Sequence, residues 1–419
     1  MTKCVLTSWL LKSTKSLRDL ILKEMSIKGH LRIAFVHNLY IKYRAPFFEK
    51  LNNAFNLTFF FDQVDATATT QGSHLNSKLL RSFSILRKGE TRIYDCTLSP
   101  ALLYYLLGGR FDLFIGASIG HIGTYVAFLV SRLRRKPFIL WDETWYWPET
   151  IIRMLAWPFI KIMVDKAEAI VAPGSKSKEF FVSLGAKPIK VYIAPNTSEI
   201  RIRRELDVES RRLKRKLGLE DKKIVLYFGR LAERKGLYFL IKAFDKLRKE
   251  ISDTFLLVCW TRPSEEKLKN VYEKLCIELG IKNVLFARFT EEEDRDLYYS
   301  LADVFVLPAI KTNLGTEIWG LVLNEAMSVG KPVVTTRAVG AAYDLIKDGV
   351  NGFLVPDKNS EALYKAIKSI VSDPYNKERM GLQSLKILSD GFAYEHMVHG
   401  FVKAVRHVLR NSQRKLIQK

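Results

Sequence analysis

From residue 31 onward the chain alternates between two patterns. Short, nearly uninterrupted apolar runs bounded by turn residues are separated by longer stretches in which apolar positions recur every three or four residues. The first pattern is that of strands buried on both faces, the second that of amphipathic helices. Strands are expected at Leu31–His37, Leu57–Phe61, Leu113–Ile115, Phe138–Trp141, Ala169–Val171 and Val191–Ile193. A second series is expected at Lys223–Phe228, Phe255–Cys259, Val284–Ala287, Val304–Leu307, Pro332–Thr335 and Gly352–Val355. Helices fall between them, among others at Phe47–Ala54, Lys176–Leu184, Gly236–Glu250, Ser264–Leu279 and Glu291–Ser300, the last with a capping box of Thr290 and Glu293. A terminal helix is expected at Glu395–Leu409. This rhythm predicts the α/β class: two doubly wound, Rossmann-like domains facing an interdomain cleft. The charged stretch Arg201–Leu217 breaks the rhythm and divides the chain into domains 31–200 and 201–394, with residues 395–419 expected to pack back on the first.

Residues 1–30 read as a basic amphipathic extension, with Leu10, Leu17, Leu20, Ile21 and Met25 broadly on one side. A membrane-surface segment and a dispensable extension, with Met25 as a start, are the two readings. The longest run free of charge, Leu113–Ser131, is short for a span and is read as a strand, a turn and a helix from Thr124 to Leu133. The composition, 48% hydrophobic, is enough for packed cores and excludes wholesale disorder. Cys4, Cys96, Cys259 and Cys276 show no metal or redox spacing, which points to a reducing, cytoplasmic compartment. Peripheral contact with the inner face of a membrane stays open. The net charge of +23 is spread over both halves and admits nucleic acid, anionic membrane or phosphorylated substrates as partners.

The chemistry concentrates in Glu317-Ile-Trp-Gly-Leu-Val-Leu-Asn-Glu325, which leads into Gly330 and the strand after it. A helix opening near Gly320 presents unpaired N–H groups and a positive dipole end to phosphate. Glu317 precedes that helix and Glu325 lies more than a turn inside it, so the two carboxylates reach different hydroxyls of one ligand. A ligand with phosphates in the middle and hydroxyls at both ends, such as a nucleotide-diphosphate sugar, fits. In Gly229-Arg-Leu-Ala-Glu-Arg-Lys235-Gly236, the cations Arg230 and Lys235 leave a strand-to-helix loop where they can clamp a diphosphate, or form a solvated basic turn.

Taken in order with Asp303-Val-Phe-Val-Leu-Pro308 and Asp348-Gly-Val-Asn-Gly-Phe-Leu-Val-Pro356, these segments resemble the retaining glycosyltransferases of family 4, with their two-domain GT-B fold. The likeness is close in the C-terminal half. It is looser in the N-terminal half, through Arg44-Ala-Pro-Phe-Phe, Lys136-Pro-Phe-Ile-Leu, Ala169-Ile-Val-Ala-Pro-Gly174 and Ala194-Pro-Asn196. The resemblance implies transfer of a hexose-type sugar from a nucleotide-diphosphate sugar to a hydroxyl of a glycan or lipid-linked acceptor, with retention and with neither metal nor cofactor. It implies Arg230 and Lys235 on the diphosphate, Glu317 on the donor sugar, Gly229, Gly320 and Leu321 beside sugar or phosphate, and Glu325 on the ribose. A nucleotide-sugar epimerase on the same fold is the rival enzyme reading. A nucleic-acid-binding protein lacks the basic stripe with interleaved aromatics it would need.

Three positions depart from the family pattern. The loop after the first strand, Asn38–Pro46, has no glycine; Arg44 there would meet an anionic acceptor or a donor phosphate, or lie in a surface loop. Glu143 stands about where many members carry a histidine, as a sugar ligand or proton acceptor, or as a helix cap or ion pair. Arg288 replaces a glycine near the base. His121 and Trp145 are further acceptor-side candidates, set against structural roles. The apolar stretch Ile151–Met163 would lie on a membrane or form a buried interdomain helix.

Overall fold

A computed structural model of the chain describes residues 31–64, 75–80, 83–86, 96–147, 150–199, 206–289 and 294–417. The N-terminal extension and the Thr290–Glu293 capping box lie outside the described residues. The chain divides into two compact units, with changeovers at Asn196/Thr197 and Ala393/Tyr394.

The first unit is built on strands β1 (Arg32–Tyr40), β2 (Asn56–Val64), β3 (Ser77–Leu79), β6 (Leu113–Ala117), β7 (Phe138–Trp141), β8 (Ala169–Ala172) and β9 (Val191–Ile193), with β4 (Phe83–Leu86) and β5 (Cys96–Leu98) as a separate antiparallel pair. The seven strands form one parallel sheet in the order β3-β2-β1-β6-β7-β8-β9. Strand β3 and the pair β4–β5 are absent from the sequence expectation, because each is only three or four residues long and has no sustained apolar run. Alternation along β1 sends Ile33 and Phe35 to one face of the sheet. There they meet Phe47 and Phe48 of the helix Ala45–Ala54 and Phe401 of the helix Tyr394–Ile417. The C-terminal helix therefore closes the core of the N-terminal sheet: Phe401 packs on Phe35, Phe47 and Trp141, with ring centroids 6.2, 5.2 and 5.3 Å away. Residues 113–131 form β6 and most of the helix Ile122–Leu133.

The second unit carries β10 (Lys223–Phe228), β11 (Thr254–Trp260), β12 (Val284–Arg288), β13 (Val304–Leu307), β14 (Val333–Thr336) and β15 (Gly352–Val355). They form a parallel sheet in the order β12-β11-β10-β13-β14-β15. Along β10, Val225 and Tyr227 enter one core with Leu240, Phe244 and Ile367, while Leu226 and Phe228 enter the opposite core with Phe305, Leu323 and Met327. Burial on both faces explains why these strands read as unbroken apolar runs.

In both sheets the strand order reverses once, between β1 and β6 and between β10 and β13. Loops leaving adjacent strands at such a point diverge and open a crevice at their carboxyl ends. The loops after β10 and β13 carry Arg230, Lys235 and Glu317. Those after β1, β6 and β7 carry Arg44, His121 and Glu143.

Candidate active site

In the second unit β10 ends at Phe228, and Gly229 follows with nothing within 4 Å of the place a Cβ would occupy. The chain then makes one 3-10 turn, Glu233–Lys235, closed by Gly236 at φ +70°. Ile310 N–H donates to Arg234 C=O at 2.8 Å, which ties this turn to the segment leaving β13. That segment runs to Glu317, whose backbone is pinned at both ends: its N–H donates to Ala338 C=O at 3.3 Å and its C=O accepts from Gly340 N–H at 3.0 Å. Gly320 follows at φ +92°, a value that favours glycine, and the helix Leu321–Ser328 begins. Space also restricts this position, because a Cβ there would meet Val339 Cγ1 at 3.0 Å and Leu307 Cδ2 at 3.1 Å. The first N–H groups of the helix thus open beside Gly320 and Leu321, one residue beyond the Trp319 indole, which donates to Asn324 Oδ1 at 3.1 Å.

Lys235 Nζ lies 2.9 Å from Glu317 Oε2, with the lysine side chain 7% and the carboxylate 12% exposed. Arg234 Nη1 donates to the same oxygen. Burial alone would raise the Glu317 pKa, but Lys235 and Arg234 outweigh it and hold the carboxylate below its usual range. Burial draws the Lys235 ammonium below its usual value against the pull of Glu317 in the other direction. Arg234 is the residue that sequence reasoning missed. Of the three cations in the loop, Arg230 and Lys235 were singled out, yet the 3-10 turn delivers Arg234 and Lys235 to Glu317. Arg230 instead pairs with Glu265, Nε to Oε1 at 3.4 Å, whose other oxygen accepts from Leu231 N–H at 2.9 Å.

Glu325 lies on the second turn of the helix. Its Oε1 accepts from Arg295 Nη1 at 2.9 Å and its Oε2 from the Tyr299 hydroxyl at 2.6 Å. Tyr299 is fully buried, and burial followed by the Glu325 charge keeps its hydroxyl protonated. Arg295 also covers the Phe228 ring at 5.4 Å. Neither partner was identified from the sequence, since both come from a helix about thirty residues upstream. A carboxylate offers about four lone-pair directions, so two donors leave capacity for a diol.

In the first unit, Arg44 pairs with Glu143, covers the Trp141 ring at 5.0 Å, and lies 3.0 Å from His37 Nε2. Its charge is reinforced: burial disfavours it, but Glu143 more than compensates. His37, not anticipated from the sequence, is held neutral well below its ordinary pKa, chiefly by burial and then by Arg44 and His121. His121 immediately precedes the helix Ile122–Leu133, is 1% exposed, and has its Nε2 2.7 Å from Asp62 Oδ2. Trp145 is half-buried in the loop after β7.

Asp142, next to Glu143, is buried and accepts from Ile119 N–H and Thr144 N–H, each at 2.7 Å. Burial, reinforced by the Glu143 charge, outweighs those hydrogen bonds and pushes its pKa up to about 6 from an ordinary 3.8. A raised folded-state value means that the protonated form stabilises the fold. This contribution is complete below the unfolded value and is lost as pH rises through about 6. In urea unfolding, the stability of the wild type relative to Asp142→Asn should therefore fall by about 2 kcal/mol between pH 4 and pH 7. A difference independent of pH would contradict the assigned environment.

Residues 209–386, which include every second-unit residue of the site described above, match the family model described as glycosyl transferases group 1. A GDP-mannose-dependent alpha-(1-6)-phosphatidylinositol monomannoside mannosyltransferase of Mycolicibacterium smegmatis is 32% identical over 161 residues, 38% of this chain and 41% of that protein. A lipopolysaccharide core biosynthesis glycosyltransferase of Rhizobium meliloti is 29% identical over 180 residues, 43% of this chain and 48% of that protein. These matches thus span less than half the length of either relative. In fold, a crystal structure of Anabaena HepE in complex with UDP superposes with a TM-score of 0.72 at 17% identity, covering 90% of this chain and 100% of that one.

Proposed function

We propose that the chain is a glycosyltransferase of group 1, on the match of its residues 209–386, and that it moves a sugar from a nucleotide-diphosphate sugar to a hydroxyl of a glycan or lipid-linked acceptor, with retention of anomeric configuration. The observation that carries this reading is the buried Lys235 and the adjacent Arg234 converging on Glu317 at a helix start. Two cations and the open N–H groups at Gly320 and Leu321 suit a diphosphate; Glu317, fixed as a carboxylate, suits the hydroxyls of the donor sugar. Glu325, held by Arg295 and Tyr299, suits the ribose diol.

In the proposed reaction the bond between the anomeric carbon and the phosphate oxygen breaks, and the nucleoside diphosphate departs with the electron pair. The acceptor hydroxyl bonds to that carbon on the same face and passes its proton to the departing phosphate oxygen. Lys235 and Arg234 act where charge grows, on the departing phosphate, and their positions are fixed before reaction. Arg230, paired with Glu265 rather than Glu317, belongs to the outer part of the same loop. On the acceptor side the candidates are Arg44, Glu143, His121 and Trp145. Of these the Arg44–Glu143 pair offers the charged groups, whereas His121 is engaged with Asp62.

The relatives named above use GDP-mannose or act in lipid-linked and lipopolysaccharide pathways, and the Anabaena protein binds UDP. A panel of UDP-, GDP- and ADP-sugars tested by thermal unfolding should therefore contain one donor class that protects the protein. At a hundredfold excess over Kd the protection should be about 2.7 kcal/mol, and free sugars should give none. Product analysis with that donor and the matching acceptor should show the donor's anomeric configuration. Protection by no nucleotide sugar would sink the proposal, and product formed from donor alone would replace it by epimerisation.

A further inference from the structure

The helix Ile151–Lys166 in the first unit is apolar on two opposite sides. Ile160, Met163 and Val164 are completely buried. Ile151, Met154, Leu155, Phe159 and Ile162 recur at helical spacing on the other side and are between 54% and 78% exposed. A helix with an apolar stripe on its outer face is unusual in water, where that face is ordinarily polar. The stripe is not isolated. Arg132, near the end of the helix Ile122–Leu133, donates to Lys166 C=O at 3.4 Å and pairs with Glu168 at 2.7 Å, joining these two helices. Arg134 donates to Leu106 C=O at 3.0 Å and so joins the helix Pro100–Gly108. The added helices present Tyr104 and Leu133, each 75% exposed.

Charge selects the occupant. Residues 100–110, 122–136 and 151–166 contain eight basic residues and a single acidic one, Asp165, in a chain of net charge +23. An apolar stripe among cations complements a surface that is apolar inside and anionic at its rim. The helix has 16 residues, short of the roughly 20 needed to cross a bilayer, and no helix among the described residues is long and apolar enough to cross one. We propose that this three-helix face docks flat on an anionic lipid bilayer, with the Ile151–Ile162 stripe entering the headgroup–acyl boundary.

Docking needs neither donor nor acceptor, so its failure would leave the donor-site reading untouched. The full chain should co-sediment with phosphatidylglycerol-containing vesicles and much more weakly with phosphatidylcholine vesicles. Leu155→Glu/Phe159→Glu should weaken sedimentation about tenfold or more. Its unfolding midpoint should not change, because both side chains are exposed. Sedimentation of the double variant like wild type would overturn the proposal by assigning binding to another segment. Absence of binding to either vesicle would overturn it as well, as would a concentration-dependent dimer that the double variant abolishes, which would make a second copy the occupant.

Discussion

Lys235→Ala is expected to lower kcat/KM for sugar transfer about 100- to 1000-fold, the usual cost of removing one preorganised group that stabilises growing charge. The expectation follows from where the lysine is held. The 3-10 turn after β10 places it, the 2.9 Å contact with Glu317 aims it, and burial removes the water that would otherwise screen it. Stability should change much less, because Glu317 keeps Arg234 as a partner. Glu317→Ala tests the same site less cleanly. It leaves a buried ammonium without its carboxylate, a loss on the order of 3–5 kcal/mol for one-sided removal of a buried pair. The two variants should therefore separate: both lose transfer, but only Glu317→Ala loses much thermal stability. Kinetics with saturating acceptor and urea unfolding of both proteins decide the matter, and wild-type transfer by Lys235→Ala would refute the assignment.

That separation also shows what the sequence could and could not reveal. Apart from β3, the strands of both sheets are legible because two-sided burial writes them as apolar runs; β7, β9, β10, β13 and β15 fall on the expected residues. The helix at Gly320 is legible because a glycine precedes a helically spaced run that Gly330 ends. What is not legible is which side chain meets which. Arg230, Arg234 and Lys235 lie within six positions, and only the handedness of one short turn decides that the second and third reach Glu317. Arg295 and Tyr299 join Glu325, and His37 joins Arg44, through contacts between elements that no local pattern records. In the first unit the short strands between residues 77 and 98 lack the apolar period that would have announced them.

Gly236→Ala should be the most damaging single-methyl change at the site, destabilising the second unit by about 3 kcal/mol or more and removing transfer with it. Two independent costs combine. The residue has φ +70°, where an L side chain is strained. An added Cβ would also lie 1.9 Å from Pro308 C=O and 2.9 Å from its carbon, and a backbone carbonyl cannot swing aside as a side chain can. Relief requires the 3-10 turn and the segment after β13 to part, and these are the two pieces that the Ile310–Arg234 hydrogen bond holds together. Lys235 and Arg234 would leave Glu317 as they part, so the function should be lost even in the folded fraction. Gly349→Ala is the control in the same unit: at φ +71° it carries the same strain, but its Cβ would meet nothing within 4 Å, so it lacks the clash. Urea unfolding should therefore show a larger loss for Gly236→Ala than for Gly349→Ala. Equal stabilities would mean that the close approach of Gly236 to Pro308 does not hold the clamp in place.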